Sequence, residues 1–176
     1  MTGLGHPIDT DPRATDPIAT GTIARGTIAT DQSQQEITVK QHIETVSISH
    51  ELAIQIVQTA IDEGAKAGVN VAVTVTDPAM AVVAYARADG TTPHSAETSR
   101  RKAQTASSTR RPSGWMQGDF AVMLPLGSGN LLTNIKGGFP LVFDGRLLGG
   151  LGVAGGTPDQ DETIARAVLQ AVGADA

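Results

Sequence analysis

The period of apolar positions changes several times along this chain, and each change predicts an element. Leu52, Ile56, Val57, Ala60, Ile61 and Ala65 fall on one stripe at helical spacing, and Gly64 and Gly68 mark the helix end. Residues 69–76, VNVAVTVT, alternate apolar and polar, as a strand does. Asp77-Pro78 breaks that run, and residues 81–87 return as its hairpin partner. Pro93 and Ser95 predict the start of a second helix, with Glu97 in a first turn where the helix dipole favours negative charge. Its inward stripe, Ala96, Ser99, Ala103 and Ala106, is made of small residues, which pack tightly on a sheet or leave room for a flat ligand. From Pro112 to Ile135 no period is sustained. Trp115, Met116, Phe120, Met123 and Leu124 predict a short helix or lid with apolar knobs there.

Residues 137–156, GGFPLVFDGRLLGGLGVAGG, carry the clearest local code. Two apolar runs, 139–143 and 147–153, flank Asp144-Gly145, a tight-hairpin signal. Thr157 as N-cap, Pro158 at the first helical position and Gln160 completing a capping box then start a last helix over about 158–172. Residues 37–48, ITVKQHIETVSI, alternate as a strand would, ahead of Ser49. Residues 1–36 are rich in Thr, Gly, Asp and Pro and hold no amphipathic period; they read as a flexible tail or arm, with Ile18, Ile23 and Ile28 recurring every five residues. Two hairpins between helices predict an α/β (α+β) domain over 37–176, an antiparallel sheet flanked by helices.

Composition narrows the function. Hydrophobic residues make up 40% but aromatics only 3%, so Val, Ile, Leu and Ala must build the core. A net charge of −5 gives no reason to expect nucleic acid as a partner. There is no cysteine, hence no thiolate nucleophile or disulfide framework. No apolar run reaches membrane-spanning length and no secretory signal is visible, which predicts a cytoplasmic protein without a membrane partner. Arg100-Arg101-Lys102 and Arg110-Arg111 bracket the second helix, either as an anion-binding patch or as a solvated face.

Residues 150–155 match G-x-G-x-x-G, yet the capping signals start the helix beyond the last of these glycines, and residues 158–176 read as a helix with no second parallel strand. Those glycines suit close strand-to-helix packing and backbone opened toward a pocket. Gly127-Ser128-Gly129 is not a nucleophile elbow. The histidines, His6, His42, His50 and His94, have no zinc-motif spacing. His50 stands in the first turn of the first helix, where it reads either as an exposed first-turn histidine or as an imidazole offered to a metal or haem iron. His94 precedes the second helix as an acid/base candidate. Asp77, Arg87, Asp89 and Lys102 fall at strand ends or on the second helix. They support an alternative in which a cofactor-independent enzyme acts on a small carbonyl or carboxylate compound. In it, Arg87 or Lys102 holds the anion and His94 or Asp89 is the general base, although Arg87 with Asp77 or Asp89 also reads as a structural ion pair.

Taken in order, Val75-Thr76-Asp77, then Ala86-Arg87-Ala88-Asp89-Gly90, then Arg101-Lys102-Ala103-Gln104-Thr105-Ala106, then GGFPLVFDGRLLGGLGVAGGTPDQDETIA resemble the GlcG/HbpS family over roughly residues 46–173. That family includes the C-terminal domain of PduO-type proteins and extracellular haem-binding proteins of actinomycetes. The resemblance implies an antiparallel sheet between helices, assembly into homo-oligomers, and binding of haem or another small molecule. It carries iron ligation onto His50 and Thr105, with Lys102 and Arg101 meeting the propionates. The implied pocket lies between the second helix and the glycine-rich corner.

Overall fold

The computed structural model describes residues 39–175, so the expected arm over 1–36 lies outside the described residues. Helix α1 (His50–Lys66) is followed by the hairpin β1 (Ala72–Thr76) and β2 (Val82–Arg87). Then come α2 (Ser95–Thr109), α3 (Phe120–Gly127), the hairpin β3 (Gly138–Phe143) and β4 (Arg146–Ala154), and α4 (Pro158–Val172). The strands form one antiparallel sheet in the order β2-β1-β4-β3, all within the compact unit Glu44–Ala176. The element order and the α/β class agree with the sequence pattern.

Local chemistry explains the boundaries. Ser49 caps α1 by accepting the Leu52 N–H at 3.2 Å. Thr157 and Gln160 make the reciprocal capping box that opens α4. Asp144 and Gly145 both adopt positive φ, 50° and 70°, as a primed two-residue hairpin turn requires.

The sheet has two unlike faces. Val73, Val75, Phe139, Leu141, Leu151 and Val153 point to one side and bury against Ile56 and Val57 of α1 and Ile164, Val168 and Leu169 of α4. On the other side Thr74 and Thr76 meet α2 through hydroxyl pairs, Thr74 with Ser99 at 2.8 Å and Thr76 with Ser107 at 2.5 Å. Beside those threonines, paired with them in the sheet, the residues of β4 on the same face are Gly152 and Gly150. A β-carbon at Gly152 would collide with the Ser99 carbonyl, and one at Gly150 with the Ala103 carbonyl. The glycines therefore seat α2 directly on the strand backbone. The pocket expected between the second helix and the glycine corner is closed: helix backbone fills it.

Residues 39–48 form no strand, contrary to the alternation of 37–48. Residues 39–47 are exposed, and only Ile48 is buried, its N–H donating to Leu148 O at 2.9 Å. Alternation alone does not make a strand where the alternating side chains find no face to bury. The outer edge of β3 is capped rather than open. Ser113 exchanges hydrogen bonds with Gly138 (2.9 and 2.8 Å), Asp175 N–H donates to Val142 O at 2.8 Å, and Pro140 between them has no N–H to offer.

Substituting Gly152→Ala is expected to lower unfolding free energy by about 2–3 kcal/mol, because rigid backbone must move to admit the methyl group. Gly127→Ala, where a β-carbon meets nothing within 4 Å, is expected to be close to neutral. Urea denaturation of the two variants beside the parent chain checks the contrast.

Candidate functional site

Helix α2 carries three of the four predicted cofactor-binding residues, and the structure divides them sharply by exposure. Lys102 is fully buried; its Nζ donates to Asp161 Oδ2 at 2.6 Å and to Val153 O at 2.8 Å. Asp161 uses its other oxygen to accept the Gly156 N–H at 2.9 Å. Burial pushes the Lys102 ammonium below its usual range, and the Asp161 charge opposes that shift. Lys102 thus corrects the sequence expectation. It is not presented to propionates or a substrate anion, because its ammonium is fully buried on Asp161 and Val153. Asp161 was missed, although a signal exists: it shares the inward stripe of Ile164, Ala165 and Val168, where an acid implies a buried partner.

Thr105 is also sealed. Its Oγ1 lies 2.8 Å from Arg101 O and 3.2 Å from Thr133 O, and it accepts the Thr133 N–H at 2.8 Å. That hydroxyl fastens the segment after α3 onto α2. His50 lies at the start of α1, on the face of the sheet opposite to α2. One chain therefore does not bring His50 and Thr105 to a common iron, and Thr105 has no free lone pair turned to solvent. Arg101 is half-buried, its Nε 2.8 Å from Glu97 Oε1, while Arg100 grips the same carboxylate. The two guanidiniums, Arg100 foremost, hold the Glu97 carboxyl at about 2, below its ordinary 4.5.

His50 is the exposed member of the set. Its side chain is 73% accessible, with Nδ1 3.2 Å from Glu51 Oε2. Arg87, Asp89 and His94 are exposed along the turn from β2 into α2, and no hydrogen bond or ion pair joins their side chains. The Arg87 ion pair with Asp77 or Asp89 is not formed; Asp77 instead accepts the Ala81 N–H at 2.9 Å and shapes the first hairpin. A polar hollow of about 310 Å³ beside Asn70, Gly90 and Gly156 includes none of the three. Among the described residues no three His, Asp or Glu side chains cluster as a metal site.

One surface went unnoticed in the sequence, and a second was expected there only as an apolar lid beside the Arg110-Arg111 pair. A groove of about 770 Å³ runs along the capped β3 edge, between Phe139, Pro140 and Val142 of the strand and Arg166 and Leu169 of α4. The Arg166 guanidinium lies 4.8 Å from the Phe139 ring centroid. On the α2 side, Arg111 lies 4.6 Å from the Trp115 ring, which packs 5.7 Å from Phe120. The Trp115 indole N–H is buried without a partner among the described residues.

Comparison with known proteins agrees with this architecture. The family model for the haem-degrading protein HbpS-like family matches residues 48–170. The GlcG protein of Escherichia coli strain K12 is 32% identical over 110 residues, which are 62% of this chain and 82% of that protein. Crystallised HbpS aligns at 30% identity with a TM-score of 0.67, covering 74% of this chain and 94% of the other. A PduOC–haem complex aligns at 26% identity with a TM-score of 0.68, covering 74% and 98%. Among the described residues no helix is long and apolar enough to cross a membrane.

Lys102→Met or Asp161→Asn alone is expected to cost about 3 kcal/mol or more, since each leaves one buried partner unpaired. The double variant should recover more than half of the Lys102→Met loss, which a denaturation cycle measures. Glu97 predicts an acid effect. Its carboxyl is depressed in the folded chain, so its contribution is complete above pH 4.5 and is lost as pH falls through about 2. A pH series of melting curves should be flatter over that window in Glu97→Gln.

Proposed function

The chain belongs to the HbpS-like family, and we propose that it binds haem, with His50 as the side chain that ligates the iron. The observation that carries this reading is the placement of His50. It opens α1 with its imidazole in solvent and Nδ1 beside the Glu51 carboxylate. The Glu51 carboxylate lies within ion-pair distance of Nδ1, which leaves Nε2 as the ring nitrogen open to iron. Haem brings four nitrogen ligands of its own, so one well-presented imidazole is a sufficient protein contribution. Bound there, the group would supply the redox chemistry of its iron, while the chain anchors and orients it. The haem of the PduOC complex and the haem-degrading description of the family support the same ligand.

Thr105 enters this reading as a structural residue, and Lys102 as part of the core. Arg101, held by Glu97 on the α2 face, stands apart from His50. The Arg87, Asp89 and His94 group gains no observation in favour of catalysis.

Titrating the purified chain with hemin is expected to produce a shifted, sharpened Soret band that is lost or displaced in His50→Ala. Glu51→Gln should keep the band and weaken binding about tenfold or more. Thr105→Val should leave the band in place while lowering the melting temperature. A parent chain with no Soret change, or a His50→Ala spectrum identical to the parent's, overturns the assignment.

A further inference from the structure

The groove beside β3 is lined mostly by apolar side chains, Pro112, Phe139, Pro140, Val142 and Leu169, and has a volume of about 770 Å³. That volume falls within the ~300–1,000 Å³ of ordinary small-molecule sites. Its charged groups stand at opposite ends. Arg166 lies against the Phe139 ring, 4.8 Å from its centroid. Asp175 lies at the other end, where its N–H donates to Val142 O at 2.8 Å. From Phe139 to Val142 the strand advances by roughly 10 Å, so the two charges flank an apolar wall of about that length. Gln170 is exposed one turn beyond Arg166, on the same face of α4.

The walls are in place before any ligand arrives. Asp175 Oδ2 accepts the Gly145 N–H at 2.8 Å, and Ala174 N–H donates to Leu169 O at 3.0 Å. These bonds fix the segment after α4 against the β3–β4 turn. Pro112 and Pro140 add rings whose backbone φ is already set. A preformed groove lowers the ordering cost of binding. The same contacts argue against an extended peptide as occupant. Gly138 and Val142 have bonded partners at this edge, and Pro140 has no N–H with which to pair a further strand. Haem is a poor occupant as well, because the lining holds no His, Met, Cys or Tyr.

We propose that this groove binds a small monocarboxylic acid with an extended apolar body, its carboxylate on Arg166. Arg166 directs Nε and Nη2 to Glu162 Oε1, at 3.2 and 2.8 Å, and Nη1 meets no partner among the described residues. The pair with Glu162 steadies the guanidinium, and Nη1 supplies a charge-assisted donor to an incoming carboxylate. The apolar body then covers Pro140 and Leu169. Asp175 sets specificity: a second carboxylate at the far end meets its like charge, so a monoacid is favoured over the diacid of equal length. His50 is not among the lining residues, and the test uses hemin-free protein, so this site stands or falls independently of the haem reading.

Octanoate and suberate form a matched pair, alike in chain length and differing by the second carboxylate. Titrated into the isotopically labelled full chain, octanoate is expected to shift the amide resonances of Phe139, Leu141, Val142, Gln170 and Asp175 in a saturable manner. Suberate should bind at least about tenfold more weakly. Arg166→Gln should weaken octanoate binding about tenfold or more, as loss of a hydrogen bond between charged groups does. Gln170→Trp, at an exposed position, should fill the groove and abolish the shifts with the far-ultraviolet circular dichroism unchanged. Asp175→Asn should narrow the preference for octanoate over suberate. No saturable shift at millimolar octanoate overturns the proposal. So do shifts confined to α3, whose Phe120, Val122, Met123 and Leu126 are also exposed. Unchanged octanoate binding in folded Arg166→Gln, or equal binding of the two acids, overturns it too.

Discussion

The ammonium of Lys102 ties together parts of the fold that the sheet would otherwise keep apart. It starts on α2, reaches the carbonyl of Val153 on β4, and ends on the carboxylate of Asp161 in the first turn of α4. Space for it exists because Gly137 has no side chain; a β-carbon there would lie 3.1 Å from Nζ and 2.8 Å from Val153 O. The φ of 109° at Gly137 excludes other residues on conformational grounds as well. A charge buried away from solvent is costly to hold, and this one is tolerated because a carboxylate and a carbonyl meet it directly. The close seating of α2 on β4, through Gly150 and Gly152, belongs to the same constraint.

That constraint governs where a ligand can sit. A stripe of small residues opposite a run of glycines reads equally as a slot or as a tight joint, and here it is a joint. The Thr74–Ser99 and Thr76–Ser107 hydroxyl pairs leave this interface polar but satisfied, which fits a rigid scaffold better than a cavity. Chemistry is consequently displaced to the periphery. The exposed imidazole of His50, the groove along β3 and the apolar excursion around α3 are all features of the outer shell.

Much of the fold was legible because its signals are local. The alternation of 69–76, the Asp144-Gly145 turn and the Thr157–Gln160 box each act over a few residues, and each is realised. Judgements that depended on a distant partner fared worse. Residues 39–48 alternate yet find no neighbouring strand. Lys102 resembles a surface cation in sequence, and only the inward stripe shared by Asp161, Ile164, Ala165 and Val168 hints at its counter-ion. Thr105 was read as facing a ligand, whereas its partner is the backbone of Thr133, 28 residues downstream. The exposure of α3 could not be foreseen, since an apolar run ordinarily predicts burial.

The capping of β3 has a consequence for the behaviour of the chain at high concentration. Strands rich in Val, Ile and Phe invite cross-β stacking wherever their backbone groups are unclaimed. An incoming strand at this edge would meet a serine already bonded to Gly138, a carbonyl of Val142 already taken by Asp175, and an imino acid between them. Growth of the sheet into fibrils is thereby blocked on that side, and the protein can crowd without polymerising through it.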